Sequence, residues 1–563
     1  MFKKLLKFIG RLNPLRALRR GLFAFGNWRR GRTKKFDYVL MTLPASMPAL
    51  AQPRDWIRQR VLGAPPMSLN DLEAAFQRIA DDPRPKGIIL ILRGFSMPLA
   101  DLQTLRESIL RLKRRGKQVI CYAQGYDTAM YYVASAADQI LLQPGGELMT
   151  IGLRQEATFL KNALETIGIQ LDSVAISPFK GAFDQFTRED ISLEGRQQLE
   201  WLLDSRYEMI VDGIATGRKM SVEAVRNMID TAPHLDEDAL KSGFINGILN
   251  EEGFSAYLKA EHFVPWKQAE KILRRRWQKR QNQTIALLEI SGTIIQGQSG
   301  QPPIDLPIPF IGGERVGDIT LVQQIRRLMK DEQAAAVLVY INSPGGSAAA
   351  SEAMTSALEE LAKTRPMVAF MGNVAASGGY YVATPAHWIV AQPGTITGSI
   401  GVLSGKPVTT GALEKLKINR VAFTRGANAD FFSDDAPFSP AQRDQMRRSI
   451  ERIYGQFIGR VALSRKMSIE AVDAVGGGRV WTGAQALEHG LVDELGDLQT
   501  ALKKVRELAN LPEDAPLVIP SSKGDQLPPQ LASLTPAAAL TYLMEGLRGL
   551  TGAPQMILPF DLK

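Results

Sequence analysis

The stretch that organises the chain is residues 373–383, Asn-Val-Ala-Ala-Ser-Gly-Gly-Tyr-Tyr-Val-Ala. Its serine, Ser377, follows an apolar run typical of a strand (residues 367–371) and precedes a run typical of a helix (residues 380–386). Small neighbours at such a strand-to-helix turn would let a substrate carbonyl reach the serine hydroxyl. A serine that caps a small-residue helix has the same pattern, because serine is a favoured N-cap residue. Both interpretations stay open on this stretch alone.

Length and composition indicate a globular chain of several domains. A chain of 563 residues is too long for one core, so two to four domains are expected. Its 45% apolar and 22% charged residues are ordinary for folded proteins. The single cysteine, Cys121, excludes an internal disulfide framework. The four histidines lack the spacing of metal ligands, so we predict neither a metal nor another cofactor.

The positive charge is concentrated in an N-terminal arm, residues 1–36. This arm contains twelve Lys/Arg and no acid, so the rest of the chain, whose total net charge is +10, is near neutral. Because the basic charge is not spread over a nucleic-acid-binding face, we predict no nucleic-acid partner. Aromatic and aliphatic residues alternate with these cations, yet no window reaches the roughly 18 apolar residues of a membrane-spanning helix. The pattern favours a helix lying on an anionic membrane surface. A solvated tail is the alternative.

The remainder of the chain is a tandem duplication. Residues 131–134 (Tyr-Tyr-Val-Ala) reappear at 380–383, and residues 143–145 (Gln-Pro-Gly) at 392–394, both 249 positions later. Residues 218–221 (Arg-Lys-Met-Ser) reappear at 465–468, 247 positions later. Internal repetition at a fixed offset is the mark of repeated structural units.

Each half alternates short β-branched runs with helical patterns, which indicates an α/β fold with parallel sheets and flanking helices. The basic segment between the halves is predicted to be a linker helix, and the proline-containing end of the chain a tail. The predicted organisation is therefore an arm (1–36), a first repeat (37–250), a linker helix (251–283), a second repeat (284–510) and a C-terminal tail (511–563).

Comparison of the two copies favours a functional site in the second repeat. Ser377 corresponds to Thr128, whose neighbours are bulkier. The Gly345–Gly346 pair follows a predicted strand, and the corresponding loop of the first repeat, residues 93–98, lacks the double glycine. Backbone N–H groups of such a loop can bind an oxyanion, whereas a tight βα turn is the structural alternative. A folding role alone should not distinguish the copies in this way.

A serine nucleophile needs a base, and two candidates differ in chemistry. His387 corresponds to Asp138 and lies at a predicted helix end, which favours a structural role. Lys180 lies between Phe179 and Phe183, and its partner in the second repeat is Arg425. A lysine removed from water can act as a base, whereas an arginine cannot.

Four motifs, in the right order, make the chain resemble peptidase family S49, specifically the long, duplicated form known as signal peptide peptidase A. They are Asn342–Gly346, the Ala375–Tyr381 turn, Thr397–Val402, and Gly478–Gly483 followed by Gly490–Asp493. The resemblance covers about residues 36–510. It implies a tandem ClpP/crotonase-like α/β fold and a serine endopeptidase that degrades apolar peptides, such as released signal peptides, through an acyl-enzyme.

The resemblance also implies a role for each matching residue. Ser377 would be the nucleophile, Lys180 the general base and later acid, and Ser399 the residue that orients the lysine. Backbone N–H groups at Gly345, Gly346 and Gly378 would hold the oxyanion. Family members assemble as tetramers, so a homotetramer is expected.

The family's long members usually carry an N-terminal transmembrane helix, and this chain has the basic arm in its place. The expected location is therefore the bacterial inner membrane, with the protein bound peripherally to its cytoplasmic face. A cytoplasmic location is the alternative. Two other functions stay open: an acyl-CoA-processing enzyme of crotonase type, whose oxyanion holes also use backbone N–H groups, and a non-catalytic membrane scaffold.

Overall fold

The computed structural model describes residues 14–32, 35–51, 60, 63–277, 281–300, 313–519 and 554–558. Residues 1–13 of the predicted arm and most of the predicted tail lie outside these ranges. Within the described ranges, no helix has both the length and the apolar character needed to cross a lipid bilayer.

The strands of the described residues are named here in chain order. They are β1 (Tyr38–Thr42), β2 (Gly87–Leu92), β3 (Gln118–Ala123), β4 (Tyr126–Asp127), β5 (Gln139–Leu142), β6 (Glu147–Met149), β7 (Gln170–Ala175), β8 (His234–Leu235), β9 (Gly247–Ile248), β10 (Phe263–Pro265), β11 (Thr284–Ser291), β12 (Thr293–Ile295), β13 (Arg315–Gly317), β14 (Ala334–Ser343), β15 (Gly345–Ser347), β16 (Met367–Ala376), β17 (Trp388–Ala391), β18 (Ile396–Gly398), β19 (Leu403–Val408), β20 (Val480–Thr482), β21 (Glu494–Leu495), β22 (Leu517–Val518) and β23 (Gln555–Ile557).

The α-helices are named in the same way. They are α1 (Pro14–Arg30), α2 (Leu69–Asp81), α3 (Leu99–Arg114), α4 (Thr128–Ala134), α5 (Lys161–Thr166), α6 (Asp184–Thr187), α7 (Leu193–Arg218), α8 (Val222–Asp230), α9 (Asp236–Lys241), α10 (Phe254–Leu258), α11 (Trp266–Ile272), α12 (Asp318–Met329), α13 (Ala348–Ala362), α14 (Gly378–Tyr381), α15 (Thr410–Lys415), α16 (Pro440–Arg465), α17 (Ile469–Val475), α18 (Gly483–Glu488) and α19 (Leu498–Leu508).

The chain forms two compact units. The first comprises residues 1–97, 101–152 and 210–280, and the second residues 98–100, 153–209 and 281–563. In the first unit, a parallel sheet has the order β10-β1-β2-β3-β5-β9, and β4, β6 and β8 form a small second sheet. All six residues of β2 are buried, as expected for a parallel strand covered on both faces.

The second unit contains two larger sheets. One has the order β20-β18-β16-β14-β11-β22, with β17 and β21 attached beside β16. The other has the order β13-β12-β15-β23-β19-β7. Strand β16 belongs to the first of these sheets and ends directly before Ser377, while β15 belongs to the second and holds the glycine pair. The two motifs lie close together because Ser343, at the end of β14, pairs with Ala375 of β16 directly before the chain enters the glycine pair.

Strand positions repeat at the predicted offset, which confirms the duplicated α/β fold. Strand β5 matches β17 residue for residue at 249 positions, and β6 matches β18. Strand β9 matches β21 at 247 positions. The prediction of parallel sheets with flanking helices is confirmed as well.

Repeat boundaries and compact units do not coincide, because residues 153–209 of the first repeat belong to the second unit. Within that unit, β7 pairs antiparallel with β19 along six residues, from Ala175 opposite Leu403 to Gln170 opposite Val408. A segment of the first repeat thus completes a sheet of the second repeat.

Residues 251–283 are not the single linker helix expected from their charge pattern. They form α10, β10 and α11, followed by irregular chain up to Trp277. Strand β10 extends the parallel sheet at β1, and Phe263 packs with Tyr38 at a ring-centroid distance of 6.0 Å. The strand pairing and the contact between the two rings stabilise a structure that the charge pattern alone did not predict, and they make the segment part of the first unit.

Helix α1 turns an apolar face to solvent. Its exposed large apolar residues are Leu18, Leu22, Phe25 and Trp28, which share one face at spacings of three and four. The opposite face packs on the first unit: Phe23 meets Trp277 edge-on at 5.1 Å, and Asn27 exchanges two hydrogen bonds with the backbone of Arg275. The helix is therefore held by its inner side, and its apolar side is left uncovered.

Candidate active site

Ser377 stands at a strained turn between β16 and α14. Its backbone has φ 55° and ψ −115°, a conformation that non-glycine residues adopt at a cost of about 1–3 kcal/mol. The Ser377 N–H donates to Gly398 O at 2.8 Å, which ties the turn to β18. A β-carbon at Gly379 would collide with the Ser343 carbonyl, so the close approach requires glycine there. The capping interpretation is not supported, since the Ser377 side chain makes no cap bond.

Ser399 lies just beyond β18 and also has a positive φ, 52°. Its N–H donates to Arg479 O at 2.6 Å, so the position of the residue is set by the chain that leads into β20. Both Ser377 and Ser399 are completely buried.

Lys180 reaches both serines from the turn that follows β7. Its Nζ lies 2.7 Å from Ser377 Oγ, 2.8 Å from Ser399 Oγ and 2.8 Å from Ser399 O. The side chain is 1% exposed, and burial lowers the pKa of Lys180 well below its ordinary value. The three oxygen atoms bonded to Nζ belong to hydroxyl and carbonyl groups, so no carboxylate pairs with the amine. The geometry brings together the three side chains that the sequence pointed to.

Two glycines pack against the lysine, Gly478 before β20 and Gly401 before β19. Gly478 has φ +91°, and a β-carbon there would lie 2.7–2.8 Å from the Lys180 backbone and Cβ. A β-carbon at Gly401 would lie 3.2 Å from Lys180 Cδ. Ser177 Oγ donates to Gly477 O, so the turn that carries the lysine is bonded to the same chain.

An aromatic stack supports this turn from the other side. Phe179 stacks on Trp201 at 5.9 Å, and Trp201 stacks on Trp481 at 4.8 Å. The Arg479 guanidinium lies 4.2 Å from the centroid of the Phe179 ring. Trp201 Nε1 also donates to Val480 O at 2.9 Å, so α7 and β20 form one support for the lysine.

The three glycines predicted to hold an oxyanion pack backbone against backbone. A β-carbon at Gly345 would lie 2.8 Å from Gly378 N, and one at Gly378 would lie 3.3 Å from Gly346 N. Ser343 Oγ accepts from Gly345 N at 3.2 Å and donates to Gly292 O at 2.6 Å, which orients the loop. Amide groups of two different loops therefore converge beside Ser377.

The other candidates lie elsewhere in the structure. His387 Nδ1 accepts a hydrogen bond from Met367 N at 3.1 Å, a contact between the residue before β17 and the first residue of β16. The predicted place of His387 at a helix end is wrong, because α14 ends at Tyr381. Arg425 is exposed. In the first unit, Thr128 begins α4 and Thr150 has a buried hydroxyl without a hydrogen-bond partner. Among the described residues, no three His, Cys, Asp or Glu side chains cluster as metal ligands.

Sequence reasoning missed the residues that surround the dyad. The run Gly476–Gly478 was a visible signal for a close backbone approach, and Trp201 and Trp481 were aromatic residues without an assigned partner. The presence of β23 from the C-terminal tail beside the glycine pair had no signal in the repeat pattern.

Comparison with known proteins gives the same class of molecule. The model of "Peptidase family S49" matches residues 111–263 and 359–512, just over half of the chain. The chain is 31% identical to the chloroplastic serine protease SPPA of Arabidopsis thaliana, over 88% of this chain and 72% of that protein. It is 30% identical to Protease 4 of Haemophilus influenzae, over 80% of this chain and 74% of that protein.

A solved structure of a ClpP1 mutant from Listeria monocytogenes is 14% identical to this chain, and the match covers 38% of this chain and 93% of that one. Its TM-score of 0.24 is too low to bear on the fold.

The duplicated α/β fold and the matches to serine proteases define the protein as a serine protease. The chain belongs to peptidase family S49. This assignment replaces the acyl-CoA and scaffold alternatives.

Proposed function

We propose that the protein is an endopeptidase that works through a Ser377–Lys180 dyad. The observation that carries the proposal is the 2.7 Å contact between the buried Lys180 amine and the Ser377 hydroxyl, with no carboxylate acting on the amine. A lysine of this kind is uncharged at a pH where a surface lysine is not, and only the uncharged amine can accept a proton.

The three polar contacts of Lys180 match the valence of an uncharged amine. A neutral amine has two N–H donors and one lone pair. The two contacts with Ser399, at 2.8 Å each, take the two donors, and the lone pair is left for the Ser377 O–H at 2.7 Å. Ser399 thus orients the amine so that its lone pair faces the nucleophile, as the resemblance implied.

The reaction then follows as acyl transfer. Lys180 takes the Ser377 proton as Oγ bonds to the peptide carbonyl carbon, and the carbonyl becomes an oxyanion. The oxyanion accepts hydrogen bonds from the amides at Gly346 and Gly378. The Gly345 N–H donates to Ser343 Oγ, so the third predicted glycine shapes the loop and does not donate to the oxyanion. The lysine returns its proton to the leaving amine as the C–N bond breaks. A water molecule, deprotonated by the same lysine, hydrolyses the Ser377 ester.

The substrates that this site favours are apolar peptides, such as released signal peptides. Leu202, Ala376, Ile396 and Val480 form an apolar cluster immediately beside the nucleophile, since Ala376 precedes Ser377. An apolar lining gains free energy from burying aliphatic side chains and loses it with charged ones.

The proposed membrane partner is an anionic lipid surface that α1 contacts with its uncovered face. Leu18, Leu22, Phe25 and Trp28 are each more than half exposed. Arginines flank this face, and residues 1–36 contain no acid. Apolar insertion with flanking cations suits the anionic cytoplasmic leaflet, and we therefore place the protein peripherally on the cytoplasmic face of the bacterial inner membrane.

The proposed homotetramer is supported by an unpaired segment of the second repeat. Val421–Ala422 correspond to the end of β7, yet Leu416, Val421 and Phe423 are 70%, 77% and 89% exposed. Residues 154–159, which correspond to β19, are described but form no strand. Pairing of one copy's residues 418–423 with the next copy's residues 154–159 is heterologous, and such contacts form a ring when the rotation between successive copies closes. The number four comes from the family resemblance.

The test of the dyad uses an activated acyl or fluorophosphonate probe and mass spectrometry of the purified chain. We expect the label on Ser377, and no label or peptide hydrolysis in Ser377→Ala or Lys180→Met. Lys117→Met is the matched control, because Lys117 is also buried but its amine bonds to Asp82 O and Pro85 O in the first unit. Normal turnover by folded Lys180→Met protein would refute the dyad.

A further inference from the structure

The first unit repeats the strand scaffold on which the candidate active site is built. Strand β4 pairs parallel with β6, just as the end of β16 pairs with β18, 249 positions later. Strand β8 pairs antiparallel with β6, just as β20 pairs with β18. By this correspondence Thr128 holds the place of Ser377. In the same way Thr150 holds the place of Ser399, and we call the two threonines, together with Asp127, the counterpart site.

The counterpart site lacks a hydrogen-bond partner for its buried hydroxyl. In the candidate active site, the Ser399 hydroxyl lies 2.8 Å from the amine of Lys180. Thr150 is completely buried as well, but its hydroxyl bonds to nothing among the described residues. Because nearly all buried polar groups in folded proteins have a partner, this hydroxyl indicates a missing donor. The duplication indicates which donor to expect: a cation that follows the segment corresponding to β7.

Asp127 gives the counterpart site a negative charge that the active site does not have. It stands at the position of Ala376 and lies opposite Met149, the residue directly before Thr150. Its carboxylate is exposed, accepts from Met130 N at 2.7 Å and makes no ion pair within the described ranges. A carboxylate here suits a cation that stays charged, as a guanidinium does, whereas the active-site lysine has to lose its proton.

Arg425 is the cation that the duplication supplies for this place. Allowing one gap of two residues, it corresponds to Lys180. The guanidinium is exposed, donates to Thr424 O at 2.8 Å and forms no ion pair in the part of the chain that the structure describes. The segment before it is uncovered too: Val421 is 77% exposed, whereas Val174, at the same place before Lys180, is 3% exposed. Both the arginine and the segment that leads to it are therefore free to contact another molecule.

The strand register relates this arginine to the counterpart site of a second copy. Within one chain β7 pairs with β19, and Ser399 lies four residues before β19 begins. Residues 154–159 correspond to β19, and Thr150 lies four residues before them. When residues 418–423 of one copy pair with residues 154–159 of the next, the arginine that follows comes to Thr150, just as the lysine that follows β7 comes to Ser399.

We propose that Arg425 of one copy completes the counterpart site of the next, where its guanidinium donates to the Thr150 hydroxyl and pairs with the Asp127 carboxylate. The partner is thus a second copy of this chain. The inference rests on the proposed head-to-tail assembly and adds the residues that recognise the neighbour. Because a guanidinium cannot accept a proton, the Thr128 hydroxyl has no base there, and the contact is a latch between copies and not a second active site.

The first experiment tests the contact by cross-linking two singly substituted chains, Ile151→Cys and Arg425→Cys, with a short bis-maleimide. Position 151 is 66% exposed and follows Thr150 directly, and the native Cys121 is buried and should not react. We expect a covalent dimer when the two chains are mixed, and none when either chain is treated alone. Leu463→Cys, at a position 84% exposed on α16, replaces Arg425→Cys in the matched control and should give no dimer with Ile151→Cys.

The second experiment measures self-association of the full chain by sedimentation velocity over a range of concentrations. We expect Arg425→Met and Thr150→Val each to raise the dissociation constant about tenfold or more, and Arg425→Lys, which keeps the charge, to raise it less. Asp127→Asn should also weaken association, although asparagine keeps the helix cap that accepts from Met130 N. The double variant Arg425→Met, Thr150→Val should associate no more weakly than Arg425→Met alone, because the hydroxyl then has no partner left to lose.

A melting experiment separates this role of Thr150 from a purely structural one. At a concentration where the chain is a single copy, Thr150→Val should melt at the same temperature or higher, because it removes a buried hydroxyl that has no partner. A lower melting temperature would show that the hydroxyl supports the first unit itself and would overturn the inference. Ser377 labelling should be the same in every variant, because the lysine and the serine of the dyad belong to one chain.

The latch, the assembly and the dyad fail in distinguishable ways. If Arg425→Met and Thr150→Val associate as strongly as the unsubstituted chain, or if the mixed cysteine variants of an associating chain do not cross-link, the latch is lost and the assembly stands. If the unsubstituted chain stays a single copy at every concentration, the assembly and the latch are both lost. Labelling of Ser377 decides the dyad in each case.

Discussion

Gly478→Ala perturbs the position of the lysine while leaving both members of the proposed dyad in the sequence. At φ +91°, an added β-carbon is strained by about 1–2 kcal/mol. The same atom would lie 2.7–2.8 Å from Lys180 N, Cα and Cβ, and relief of such overpacking costs about 1–3 kcal/mol more. Because the neighbouring atoms are mainly backbone, the lysine turn itself must move.

The expected result is a loss of stability of about 2–5 kcal/mol and a much larger relative loss of activity. A displacement of the order of 1 Å at the amine breaks its geometry with Ser377, and misplacements of this size cost about a hundredfold in rate. We expect kcat to carry the loss, since Gly478 is not part of the apolar cluster proposed to contact the substrate.

The assay is steady-state hydrolysis of an apolar fluorogenic peptide, well below the melting temperature of the variant, together with the labelling rate of Ser377. Gly455→Ala is the matched control: it lies inside α16, a β-carbon there meets nothing within 4 Å, and the change should stabilise by about 0.5–1 kcal/mol. Wild-type kcat in a folded Gly478→Ala chain would refute the account of how the lysine is positioned.

Two further predictions concern pH and lipid. Activity should appear as the pH rises through the lowered pKa of Lys180, and a kcat/KM profile that peaks near pH 6 would contradict a lysine base. The free energy of unfolding should also rise with pH up to the ordinary lysine pKa, because over that range the unfolded chain binds one proton more than the folded chain. The double variant Leu22→Glu, Phe25→Glu should no longer co-sediment with vesicles that contain anionic lipid, whereas Leu463→Asp should still do so. Equal binding of the unsubstituted chain and both variants to purely zwitterionic vesicles would exclude the proposed α1 contact.

Internal repetition made much of the fold and site predictable. The 249-residue offset placed the strands of one half from those of the other, and the differences between the copies singled out Ser377 and Lys180. Comparison of the two repeats predicts a strand correctly where the same local sequence pattern forms the same strand in both, as at β5 and β17.

Contacts between distant segments were not predictable from pattern. The charge pattern of residues 251–283 suggested a helix, but pairing of β10 with β1 prevailed. The passage of residues 153–209 into the second unit depends on the β7–β19 register, and the place of β23 depends on space left by glycines. These pairings depend on contacts between residues far apart in the chain, and such contacts produce no periodic pattern in the sequence.

The pairing of β7 with β19 has a consequence for the life of the molecule. The amine and the alcohol are 197 positions apart along the polypeptide, with the amine made first. Under the proposed mechanism, a nascent chain carries the lysine through much of its synthesis without a nucleophile beside it. The proposed activity therefore arises only when the later strands have folded around the lysine.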